Sequence, residues 1–198
     1  METDLNKLRD RAYLTAKAHG FHEKEYSDEH YLMLIITEIA EAVNADRKNH
    51  HARIKEFEDW QKEWDKELKD CPYSEHYTAN NFKDHFQAYI KDSVEDELSY
   101  VAIRILDFAG AKGINFEEYD ILGCDNNFCG DNSFCEKCYY LCRLVGDNMN
   151  YPKLEHKIKV ILADILQLAK RYDIDLFRFI DLKMKYNELR PYKNGKEY

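Results

Sequence analysis

Glu38 and Glu41 stand three residues apart inside LMLIITEIAEAVNADRK, a stretch whose Ile35, Ile36, Ile39 and Val43 mark it for burial. On a helix, positions i and i+3 project from one face, so the two carboxylates converge. Like charges about 4 Å apart repel by roughly 4 kcal/mol at an effective dielectric near 20. Such a pair must titrate, find cationic side chains, or hold a metal ion. No Lys or Arg lies on that helix before Arg47. A second acidic segment, DSVEDELSYVAIRILDFAG, sets Glu97 beside an apolar row. All-oxygen ligation of this kind suits Mg2+, with Mn2+ as the alternative, because hard cations prefer carboxylates and keep waters that reach a phosphate.

The C-terminal segment FIDLKMKYNELRPYKNGKEY carries complementary chemistry. Lys183, Asn187 and Arg190 fall at i, i+4 and i+7 and share one helix face, with Lys193 and Lys196 following on a short tail. Arg offers phosphate a planar fork, Lys a point charge, and Asn an amide for a phosphate oxygen or a sugar hydroxyl.

Helices must position these groups. Residues 4–19 read as a first helix stopped by Gly20, and Ser27 as the N-cap of a long helix over about 28–46. Residues 52–70 are dense in charge but keep a one-sided stripe of Ile54, Phe57, Trp60, Trp64 and Leu68, which marks an amphipathic helix. CPYSEHYTANN reads as a break, and Phe82, Phe86, Tyr89 and Ile90 as a short helix returning to the core. Residues 52–91 therefore read as a helical hairpin placed between the two acidic helices, its tryptophans there for packing. Ser93 and Asp96 spell a capping box for the second acidic helix, which runs to Gly110. INFEEYDILGCDNNFCGDNSF reads as loop or short helix, residues 154–172 as a strongly apolar helix, and a last helix runs from about Asp175 towards Pro191.

Seven Gly and three Pro in 198 residues, and no alternating pattern, make the expected fold all-α. A net charge of −9 excludes a nonspecific nucleic-acid binder but allows a small phosphorylated ligand offset by metal and local bases. No stretch has the length of a membrane span, and METDLNKLRDR is too charged for a signal peptide, so the expected location is the cytoplasm. Of six cysteines, Cys71 stands alone while Cys124, Cys129, Cys135, Cys138 and Cys142 crowd together. Cys135 and Cys138 form a single CxxC with no second pair at zinc spacing, so reduced thiols are expected, with Cys135, Cys138 and Cys142 on a helix face beside Tyr139, Leu141 and Leu144.

In order along the chain, TEIAEAVNADRK, VEDELSYVAIRILDFAG and KMKYNELRPYKNGKEY resemble the MazG-like nucleoside triphosphate pyrophosphohydrolases of the all-α NTP pyrophosphatase superfamily. The resemblance implies one domain over 1–198, a helical bundle elaborated by insertions at about 50–90 and 115–155. It implies that ExxE and ExxD acids bind Mg2+, and that the ions hold a nucleoside or deoxynucleoside triphosphate while an activated water cleaves between the α and β phosphates. Glu38 and Glu41 match the ExxE, and Glu97 the first position of the ExxD. Either Glu38 or Glu41 would act as base, while Lys183, Asn187, Arg190, Lys193 and Lys196 would bind substrate. A homodimer is also implied, because related bundles complete their sites across subunits.

The chain departs from the pattern at one position: Tyr100 stands where the family places Asp. A phenol with a pKa of about 10 is a poor Mg2+ ligand at neutral pH. Asp96, four residues earlier, is the nearest substitute on the helix; Asp107 lies too far along it, and Asp164 belongs to another helix. Three readings follow. One is an active pyrophosphohydrolase, one a nucleotide-binding relative disabled by Tyr100, and one a helical protein whose buried acids are simply neutralised by neighbouring Lys, Arg or Tyr. A di-iron carboxylate bundle is disfavoured, since none of the eight histidines has a Glu three residues before it.

Overall fold

The computed structural model describes residues 4–70, 73, 75–116, 131–147, 150 and 153–195. The described residues are all-helical: α1 Leu5–Ala18, α2 Asp28–Arg47, α3 Ile54–Asp70, α4 Glu75–Tyr89, α5 Val94–Ala111, α6 Phe134–Gly146, α7 Leu154–Arg171, α8 Leu176–Glu188 and a 3-10 turn, Tyr192–Gly195. No helix among them is long and apolar enough to cross a membrane.

The helix starts follow side-chain chemistry. Asp4, Ser27, Ser93, Ser133 and Asp175 each accept the backbone N–H three residues on, satisfying a donor the helix itself leaves open. The reciprocal box expected at Ser93 and Asp96 is only half formed. Ser93 accepts from the Asp96 N–H, but the Asp96 carboxylate turns instead to the Asp92 N–H and to Lys183. The complete box occurs at Ser133 and Glu136.

Helix α5 is the axis of the fold and packs against α1, α2, α7 and α8. It is buried nearly all round, and Leu98, Val101, Ala102, Ile105, Leu106, Phe108 and Ala109 are fully buried, as a central helix requires. Helices α6 and α7 close the bundle on the side of α2. A second cluster joins α3, α4 and α8 through Phe57, Phe82, Phe86, Ile90, Phe179, Leu182 and Tyr186, so α8 serves both cores.

Two local expectations are corrected. Most of the segment read as a break is helix, because α4 begins at Glu75 and its first turn is anchored by Tyr77 packing with Trp64 and Tyr73. Tyr139 does not share the buried face of α6: it is 66% exposed, while Cys138, Leu141 and Leu144 are buried. Cys135 is exposed and Cys142 half-buried, all three as free thiols, and burial pushes the Cys138 thiol up from its ordinary range. Cys71, Cys124 and Cys129, and most of the expected loop before α6, lie outside the described residues.

After α8 the chain is strapped to the end of α1. The Lys193 N–H donates to the His19 carbonyl at 3.0 Å, the Lys193 ammonium pairs with Glu23 at 2.6 Å, and the Tyr192 hydroxyl donates to Glu23. Gly20 makes this possible. Its φ is +81°, and a Cβ there would lie 2.5 Å from the Tyr192 ring. Gly20→Ala is therefore expected to release the strap at a cost of about 1–3 kcal/mol, seen as faster hydrogen exchange at the Lys193 amide with the helical amides unchanged.

Candidate functional site

The acidic residues gather where the C-terminal half of α2 meets the start of α5. Glu41, Asn44, Ala45, Lys48, His50, Asp92 and Glu97 line an open cleft of about 340 Å³. One carboxylate oxygen from each of Asp92, Asp96 and Glu97 lies within 4.8 Å of the others, a spacing that one cation would satisfy. Asp92 reaches the cleft because its backbone takes the left-handed conformation, φ +63°, in the turn before α5. Asp96 is 1% exposed, and its Oδ1 has no hydrogen-bond partner. An orphaned carboxylate oxygen at that depth is costly and signals a missing donor or cation. The donor set is all oxygen and is reached from the cleft at Asp92 and Glu97, which fits Mg2+ or Mn2+, with the Lys91 ammonium, 2.6 Å from both Asp92 oxygens, as the cation an ion would displace.

Glu97 is nearly buried at 6% exposure, and its carboxyl is pushed up to about 7. Burial is the largest cause, Lys183 offsets part of it, and Asp96, Glu38 and Asp92 add like charge. Glu41 is exposed at the cleft mouth.

Glu38, one turn before Glu41, has a different neighbour. Its Oε1 accepts from Arg104 Nε of α5 at 3.0 Å, and both side chains are largely buried. Burial pushes the Glu38 carboxyl up, and Arg104 only partly counters it. Tyr100 stands between two such pairs. The Arg104 guanidinium lies 4.7 Å from its ring centre and the Lys183 ammonium 4.6 Å. Lys183 bonds Asp96 Oδ2 at 2.8 Å, with side-chain exposures of 6% and 0%. Burial alone would pull Lys183 down, but Asp96 and then Glu97 outweigh it and hold the ammonium above its usual range.

The other tail residues lie further along. Asn187 and Arg190 line a cavity with Tyr100, Arg104, His19, Phe21 and Met184. Asn187 Oδ1 is buried there without a partner. On α5 the two sites are only one turn apart: Glu97 lines the cleft, and Tyr100 and Arg104 line this cavity. Lys193 is held by Glu23, and Lys196 lies outside the described residues.

The structure thus brings Glu41 and Glu97 to one cleft, couples Glu38 to Arg104 beside it, buries Lys183 under the cleft, and sends Asn187 and Arg190 to a second cavity. Sequence reasoning passed over Arg104, Asp92, Lys48 and His50. Arg104 carried a readable signal, being seven residues from Glu97 and four from Tyr100 on one helix face. The other three enter through turns after α2 and before α5, where Asn49 and Asp92 both take positive φ, and periodicity does not report turns. No family model, curated protein or solved structure matches this chain.

Proposed function

We propose that the chain is a Mg2+-dependent nucleoside triphosphate pyrophosphohydrolase of the MazG-like, all-α NTP pyrophosphatase type, converting a nucleoside or deoxynucleoside triphosphate to the monophosphate and pyrophosphate. One observation carries the reading: buried Asp96 and Glu97, the former with an orphaned oxygen, share a solvent-reached cluster with Asp92, and Glu41 lies across the same cleft from Asp92 and Glu97. Glu41, Asp92, Asp96 and Glu97 would hold the ion. When bound, magnesium supplies charge neutralisation on phosphate oxygens and a water of lowered pKa.

The chain's own groups do the rest. Glu41, exposed at the cleft, accepts the proton of the attacking water. Lys48, on the same cleft wall, offers an ammonium to the phosphates. In the cavity beside Tyr100, Asn187, whose Oδ1 has no partner, and Arg190 receive the nucleoside end. In this reading α3 and α4 are an insertion in the bundle, and the reduced thiols of α6 suit a cytoplasmic setting.

A second reading is favoured by the pairs around Tyr100. Arg104 neutralises Glu38 and Lys183 neutralises Asp96, which leaves a nucleotide-binding protein with a weakened cage. Incubation with a panel of nucleoside and deoxynucleoside triphosphates plus Mg2+, reading pyrophosphate, separates the two. Release by wild type that is lost in Glu97→Gln supports the enzyme. Nucleotide binding without release, with release gained in Tyr100→Asp, supports the weakened cage. Neither binding nor release overturns both.

A further inference from the structure

We infer that Arg104 is a resident cation standing where a second divalent ion would be charge-balanced, so that the chain takes a single ion, between Glu41, Asp92, Asp96 and Glu97. This rests on the proposed metal cleft and specifies its stoichiometry. A helical side chain leans towards the N-terminus of its helix, so Arg104 folds back over the turn bearing Tyr100. The guanidinium lies 4.7 Å from the Tyr100 ring centre and its Nε donates to Glu38 at 3.0 Å. It is fixed on two sides, by the ring face and by the carboxylate. An arginine does not lose its proton in a protein, so the charge at Glu38 is permanent. A divalent ion approaching Glu38 would meet that charge at close range in a partly buried setting, with Tyr100 offering no carboxylate in exchange.

Glu97 is placed differently. Lys183, whose charge offsets part of the effect of Glu97 burial, is bonded to Asp96 Oδ2 and leaves Asp96 Oδ1 without a partner. Tyr100 and Arg104 therefore act as one unit. The ring offers no carboxylate to a second ion, and the guanidinium already balances the single charge of Glu38.

Mn2+ binding to the purified protein, followed by titration calorimetry and by the electron paramagnetic resonance signal of free Mn2+, tests the inference without any turnover. The expected result is one ion per chain. In Glu38→Gln/Arg104→Met, which removes the charge pair together and leaves no unpaired carboxylate, affinity should stay within about threefold of wild type, because Glu38 holds no ion. In Tyr100→Asp/Arg104→Ala, with helicity checked by circular dichroism, the count should rise to two. Two ions in wild type, a tenfold or greater loss of affinity in Glu38→Gln/Arg104→Met, or a folded Tyr100→Asp/Arg104→Ala still binding one, each overturns the role given to Arg104 while leaving the cleft intact. No Mn2+ bound by wild type overturns the cleft itself, and the inference with it.

Discussion

In metal-free buffer at pH 8, Glu97→Gln melts about 6–12 °C above wild type, although it removes a residue of the candidate site. The reason is linkage between folding and protonation. Glu97 has an ordinary carboxyl value of 4.5 and is held at about 7 in the fold, chiefly by burial. Below 4.5 folded and unfolded chains both carry the proton; between 4.5 and about 7 only the folded chain does; above that neither does. The stabilisation is therefore complete at low pH and is lost as pH rises through 7. The full loss is on the order of 3 kcal/mol, or about 2–4 °C per kcal/mol for a chain of this size. Glutamine mimics the protonated form at every pH, so the gap between variant and wild type should close as pH falls towards 5. Saturating Mn2+ at pH 8 should raise the wild-type melting temperature and leave the variant unmoved, since the ion replaces the proton only where a carboxylate waits for it. Thermal melts across this pH range, with and without Mn2+, check all three outcomes.

Lys183→Met acts in the opposite direction and more strongly. The ammonium is the only charged partner of buried Asp96 among the described residues, at 2.8 Å. Removing it leaves a carboxylate with 0% side-chain exposure, one of whose oxygens already lacks a bond. Breaking one side of a buried pair costs about 3–5 kcal/mol, whereas replacing both sides by neutral groups is close to neutral. A fall of about 10 °C in melting temperature is expected for Lys183→Met, with most of it recovered in Asp96→Asn/Lys183→Met. Recovery in the double variant separates the unpaired charge of Asp96 from the lost contact of the ammonium with the Phe86 and Tyr100 rings, which both variants share.

These two side chains also show how far the sequence carries. The helices were legible because their apolar periods are strong and their caps are of standard chemistry: Ser27 before α2, Ser93 before α5, Pro191 after α8. Glu97 was legible as an inward acid because it sits beside the row of Val94, Leu98 and Val101. Lys183 was legible only as a cation on a helix face. Its phosphate-binding expectation came from helical spacing, but α8 turns that face onto α5, where Asp96 lies. The same limit applies to Glu38, whose partner Arg104 comes from a helix 66 residues away, so the pairing depends on how α2 and α5 register. Spacing within a helix reports which groups share a face; it does not report what the facing helix presents.

The most direct measurement is anomalous diffraction from crystals soaked in Mn2+ at pH 8, where Glu97 is ionised. An anomalous peak bounded by carboxylate oxygens of Glu41, Asp92, Asp96 and Glu97 is the predicted result. A fully soaked crystal with no peak in that cleft, and with Glu97 and Asp96 bonded only to protein and water, would contradict it.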